Sequence, residues 1–67
     1  MHQASDRLLT TAEVADRLNV SPATLVGWRY KRQGPPAIIL SRRAVRYRES
    51  ALQAWLAEHE AASDGAA

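Results

Sequence analysis

The chain has 67 residues, nine Lys or Arg against seven Asp or Glu, a formal net charge of +2, and no cysteine. That length allows one small domain burying only about 60% of its unfolded surface, and the composition excludes both a disulfide framework and a thiolate metal site. No apolar run approaches the roughly 20 residues that cross a membrane, residues 1–10 carry no signal-peptide pattern, and His2 and His59 form no ligand spacing, so the expectation is a cytoplasmic protein without a metal or other cofactor.

In chain order, residues 1–7 are polar and aperiodic and read as a flexible N-terminal arm. Thr10 followed by Glu13 is a capping box, and Val14, Ala15 and Leu18 continue as an apolar stripe at helical spacing. Asn19 suits the left-handed residue that ends such a helix. Two residues later Ser21 is a good N-cap and Pro22 a good first helical residue. This second helix buries Leu25 and Trp28 and should end near Gly34, before Pro35 and Pro36.

Residues 37–40 and 45–48 are β-branched or alternating, with Val45 and Tyr47 on one face and Arg46 and Arg48 on the other. They predict a hairpin with Arg42 and Arg43 at its tip. A third helix over 49–59 presents Leu52, Trp55 and Leu56, and residues 60–67 read as a flexible tail. The folded domain is thus placed at 8–59.

Two short helices joined by so tight a turn must cross steeply, as in a helix-turn-helix unit, and a basic hairpin after it is a wing. The predicted fold is mostly α with a small β-hairpin: a winged helix-turn-helix in the order α-turn-α-β-hairpin-α. An αα-hairpin of some other role would need the same core but not the combination of Ala15, Asn19 and the Ser-Pro start.

Charge distribution points the same way. Arg29, Lys31, Arg32, Arg42, Arg43, Arg46 and Arg48 fall in a stretch with no acid, while every Asp and Glu lies outside it. A basic block of this kind is the footprint of a polyanion, although a charge run alone is more often a solvated face. The outward positions of the second helix are Ser21, Ala23, Thr24, Gly27 and Lys31. Small residues there admit the helix to a major groove. Ser21 and the helix N-terminal amides are expected at a phosphate, Thr24 at a base edge, and Arg29, Lys31, Arg32 and the wing arginines mostly on phosphates. Tyr30 and Tyr47 are further candidate phosphate donors, with Tyr47 better suited to the core.

The segments LTTAEVA (9–15), VSPATL (20–25), Trp28, GPP (34–36), AVRYR (44–48) and AWL (54–56), in this order, resemble the excisionase and AlpA-like proteins, a MerR-related branch of winged helix-turn-helix proteins. The resemblance implies a recognition helix in the major groove and a wing on the neighbouring backbone or minor groove. It also implies a recombination directionality factor that bends DNA beside a site-specific integrase, or else a small transcription regulator. The sequence departs from the family pattern at Gly27, where relatives often carry arginine, and at Ser41-Arg42, where they often carry a glycine pair.

The expected partner is double-stranded DNA. The protein should be a monomer in solution that self-associates cooperatively on adjacent sites, with no membrane or small-molecule ligand. An enzyme would need a nucleophile set or phosphate loop that the sequence lacks. A protein-binding adaptor or antitoxin-like partner would need an apolar patch, with Val26 and Ile39 as candidates, that outweighs the basic face.

Overall fold

A computed structural model describes the backbone of residues 6–66 and the side chains of residues 6–62, so residues 1–5 of the arm expected over 1–7 and the last residue lie outside it. The elements run β1 (Leu8–Thr10), α1 (Thr11–Leu18), α2 (Pro22–Tyr30), β2 (Ile38–Ser41), β3 (Ala44–Arg48) and α3 (Glu49–Ala66). This is the winged helix-turn-helix that the sequence predicts.

Each helix boundary has a local cause. At α1 the Thr10 Oγ1 accepts from the Glu13 amide at 3.1 Å while Glu13 Oε1 accepts from the Thr10 amide at 2.8 Å, which closes the capping box. Leu9 and Val14 flank this cap at the positions of a hydrophobic staple, and both are buried. Asn19 adopts φ 60°, ψ 43°, and the amides of Asn19 and Val20 reach back to Asp16 O and Ala15 O, the two bonds of a Schellman ending. Ser21 caps α2 with Pro22 behind it.

The second helix stops at Tyr30, short of the ending near Gly34 that the prolines suggest. Arg32 turns left-handed at φ 58°, and the Gln33 and Arg32 amides bond Trp28 O at 2.7 Å and Arg29 O at 3.1 Å. A Schellman bond pair therefore ends the helix before the prolines are reached. Gly34 follows at φ 80°, and a Cβ built there would lie 2.9 Å from Trp28 Cε3.

Two features differ from the sequence reading. The hairpin is not two-stranded: β3 lies at the centre of a sheet ordered β1-β3-β2, all antiparallel. Leu9 pairs with Tyr47 and is buried beside it, so residues just after the arm are part of the core. The third helix, read as ending at His59 with a tail beyond, continues to Ala66, because Glu60, Ala61 and Ala62 are compatible with helix and no breaker occurs before Gly65.

The core gathers Leu9, Val14, Ala15, Leu25, Val45, Tyr47 and Leu52, drawn from every element except β2. Trp28 and Trp55 are half-buried at its margin, with ring centroids 6.0 Å apart. They cover the core rather than fill it; Tyr47 is the largest fully buried side chain.

The helix α3 follows β3 without a loop and so lacks a cap of its own. Its first amides are satisfied from the other end of the chain: Glu49 N donates to Arg7 O at 2.9 Å and Ser50 N to Asp6 Oδ1 at 3.0 Å. Residues 6 and 7, placed in the arm by sequence, are thereby tied to the domain. Arg17 forks onto Glu49 and links α1 to α3.

Three carboxylates at these junctions are held below the ordinary carboxylate range. For Asp6 the main cause is the Ser50 amide, for Glu13 the Thr10 amide, and for Glu49 the Arg17 guanidinium. A carboxyl whose pKa is lower folded than unfolded stabilises the fold above the unfolded value, and that contribution is lost as pH falls through the folded one. The thermal midpoint followed by circular dichroism should therefore hold level from pH 7 to about 5 and fall in the acid range below it. A midpoint unchanged down to pH 3 would show these contacts to be without weight.

Candidate nucleic-acid interface

The wing turns sharply. Ser41 pairs with Ala44, leaving Arg42 and Arg43 as a two-residue tip, and the register shifts between Ile39 and Ser41. Neither arginine has positive φ, so the tip is not one of the mirror-image turns that a glycine pair would favour, and the irregular pairing beside it takes up the mismatch.

This hairpin and the helix pair enclose a groove of about 330 Å³. One wall is Arg29 and Val26 from α2, the other Arg42, Arg43 and Arg46 from the wing, with Thr10 and Thr11 also lining it. Four guanidinium-bearing residues from three places in the chain thus meet on one concavity that no acid lines. Arg46 is half-buried and spends one N–H on its neighbour, Val45 O, at 2.9 Å. A smaller depression of about 220 Å³, between the end of α2 and β2, shares Arg29 with the groove and adds Arg32.

Among the described residues the ion pairs are Arg7–Glu13, Arg17–Glu49 and Arg48–Asp6. Among these residues Arg29, Lys31, Arg32, Arg42, Arg43 and Arg46 have no acidic partner. In a domain this small an uncompensated set of that size projects a positive field from one region and attracts a polyanion at long range. Arg48, also predicted as a wing contact, is different: it is exposed but bonded to Asp6 Oδ2 at 3.3 Å and lines neither depression.

The predicted helix contacts divide as well. Ser21 and Ala23 are exposed at the start of α2, and Lys31 is exposed at its end. Thr24 is half-buried; its amide donates to Ser21 Oγ at 3.2 Å and its hydroxyl lies 2.9 Å from the Ser21 hydroxyl. Both hydroxyls are therefore engaged in the cap. Gly27 faces open space, since a Cβ built on it meets nothing within 4 Å. Two further residues join this surface: Val26, a candidate only for an apolar patch by sequence, and Tyr30, a candidate phosphate donor, which is 79% exposed with the Arg29 guanidinium 5.6 Å from its ring centroid. Their spacing from Ala23 was the available signal, because 23, 26, 27 and 30 share one helical face away from Leu25 and Trp28.

Within the described residues no helix is long and apolar enough to cross a membrane, and no group of three or more His, Asp or Glu is placed to hold a metal ion. No curated protein and no solved structure is significantly similar to the chain. A family model does match: that of the helix-turn-helix domain, over residues 8–60. That span takes in all three strands, α1, α2 and most of α3. The chain therefore belongs to the helix-turn-helix domain family, and the partner such a domain implies is DNA.

Proposed function

We propose that the protein binds double-stranded DNA sequence-specifically, performs no catalysis, and serves as an excisionase-type recombination directionality factor that binds adjacent sites cooperatively and bends the duplex beside a site-specific integrase. The observation that carries DNA binding is the acid-free groove in which Arg29, Arg42, Arg43 and Arg46 converge next to the exposed face of α2. Phosphates spaced along a duplex backbone fit a row of cations held by two rigid walls, with α2 as the element presented to the major groove. The narrower role rests on the sequence resemblance.

Cooperation follows from magnitude. One module of this size buries roughly 600–1,000 Å² on DNA, too little for tight, discriminating binding at physiological salt. Several copies side by side on repeated sites supply the missing affinity.

The test is titration of the protein against duplexes carrying one, two or three copies of its site, read by native mass spectrometry for stoichiometry and by end-labelled energy transfer for bending. Filling in an all-or-none manner, with a bend that grows with each copy, is the expected result. Independent filling of straight DNA would remove the directionality role and leave that of a small AlpA- or MerR-like transcription regulator. Absence of DNA binding at low salt would turn attention to a protein-binding adaptor.

A further inference from the structure

The exposed face of α2 is unusual for a helix lined up with a polar ligand. Ala23, Val26, Gly27 and Tyr30 occupy i, i+3, i+4 and i+7 and form one apolar stripe. The inner face, Leu25 and Trp28, is apolar too, so α2 is apolar on both sides and only one side is covered by the core. Tyr30, 79% exposed, is the most exposed large apolar residue of the domain. Base edges in the major groove are ordinarily read by Arg, Lys, Asn or Gln, and the stripe holds none of these. The two hydroxyls nearby, Ser21 and Thr24, already face one another. One base feature suits an apolar reader, the 5-methyl group of thymine. The cations on either side of the stripe, Arg29 and Lys31, fix its occupant as a polyanion rather than an apolar protein surface.

We infer that α2 selects its site by packing the Ala23–Val26–Gly27–Tyr30 stripe against thymine 5-methyl groups in the major groove, with Tyr30 as the principal specificity residue. Gly27 leaves room for close approach, because no side chain stands between the helix backbone and the groove floor. Tyr30 acts through its ring, and the Arg29 guanidinium beside that ring holds it near the phosphates. The inference rests on the DNA-binding reading above and adds the chemical class of site.

The test begins with selection of bound sites from a random duplex library. The enriched site is then resynthesised with deoxyuridine for thymidine at each position, which removes the methyl and leaves every hydrogen-bonding group in place. Each contacted methyl should be worth roughly a fourfold change in affinity, the equivalent of one buried CH₂. Restoring a methyl as 5-methylcytosine at a neighbouring cytosine has no such effect unless it falls under the stripe.

Tyr30→Ala should lose affinity for the thymine duplex and bind the thymine and uracil forms alike, while Tyr30→Phe keeps the wild-type ratio. Both variants change an exposed side chain, and tryptophan fluorescence checks that they fold. Equal affinity of the wild type for the two duplexes overturns the inference while leaving DNA binding intact, as does loss of discrimination in Tyr30→Phe, which would assign the reading to the hydroxyl. Enrichment of sites without thymine also overturns it. Failure to bind any duplex in a salt-dependent way defeats the DNA-binding reading itself.

Discussion

Changing Arg42 and Arg43 together to glutamate is expected to lower affinity for duplex DNA by about a hundredfold or more near 0.1 M salt. The two side chains form the wing tip, line the groove and lack an acidic partner among the described residues. Reversing them removes two phosphate contacts and adds two repulsions. With about four to six contacts in the wild type, the logarithm of affinity should fall with that of salt at a slope near −4 to −5, and the double variant should flatten it by about 2. Both residues are exposed in a turn without positive φ, so glutamate fits there and the domain should keep its melting temperature. Arg48→Glu is the contrasting case. It breaks a pair with Asp6 and should lower stability more than the salt slope. A double variant that remains folded and binds with an unchanged slope would place the DNA elsewhere on the molecule.

Gly34→Ala should be the most damaging single methyl group in the chain. The position has φ 80°, which costs an L-residue roughly 1–2 kcal/mol. The new Cβ would also stand 2.9 Å from Trp28 Cε3 and 3.2 Å from Trp28 Cβ. The nearer atom belongs to a rigid ring packed on Trp55, so relief requires the tryptophan pair or the Gly-Pro-Pro turn to move. Together these effects should cost about 2–4 kcal/mol, a large part of the roughly 3–10 kcal/mol available to a domain of this length. The thermal midpoint should drop by more than about 10 °C, accompanied by a change in indole fluorescence. Gly27→Ala supplies the control: the same methyl in open space on a helix should raise stability by up to about 1 kcal/mol. Equal midpoints for the two variants would mean that the left-handed turn over Trp28 carries no strain.

Which parts of this fold can be read from sequence follows from how local their causes are. The capping box at Thr10 and Glu13, the left-handed Asn19 and the Ser-Pro start of α2 are each decided within a few residues, and each is present. The alternation of Val45 and Tyr47 with arginines is equally local, and the structure buries Val45 and Tyr47 as that alternation predicts. The strand β1 is not local: three residues are too short for a period, and its partner lies across the domain in β3. The sequence places the end of α2 too late, because two prolines advertise a stop more loudly than the left-handed Arg32 that makes it. At the site, the groove arginines Arg29, Arg42, Arg43 and Arg46 were recognisable from charge alone. Charge does not report pairing, however, so it could not separate Arg48, engaged by Asp6, from the others. Nor does it register apolar residues, so it points neither to Val26 nor to the ring of Tyr30.

The central position of β3 has a mechanical consequence. One end of the strand carries the arginine tip; the other continues directly into α3, and its flank is bonded to β1, the strand that leads into α1. Wing and helix pair are consequently one stiff piece rather than a body with a movable appendage. Docking such a piece involves little loss of internal freedom, so more of each contact survives as affinity. It also fixes the distance between the wing tip and α2 in advance. A duplex whose backbone does not match that distance is the partner that must yield, and sequences that bend or narrow easily gain an advantage even at base pairs the protein never touches.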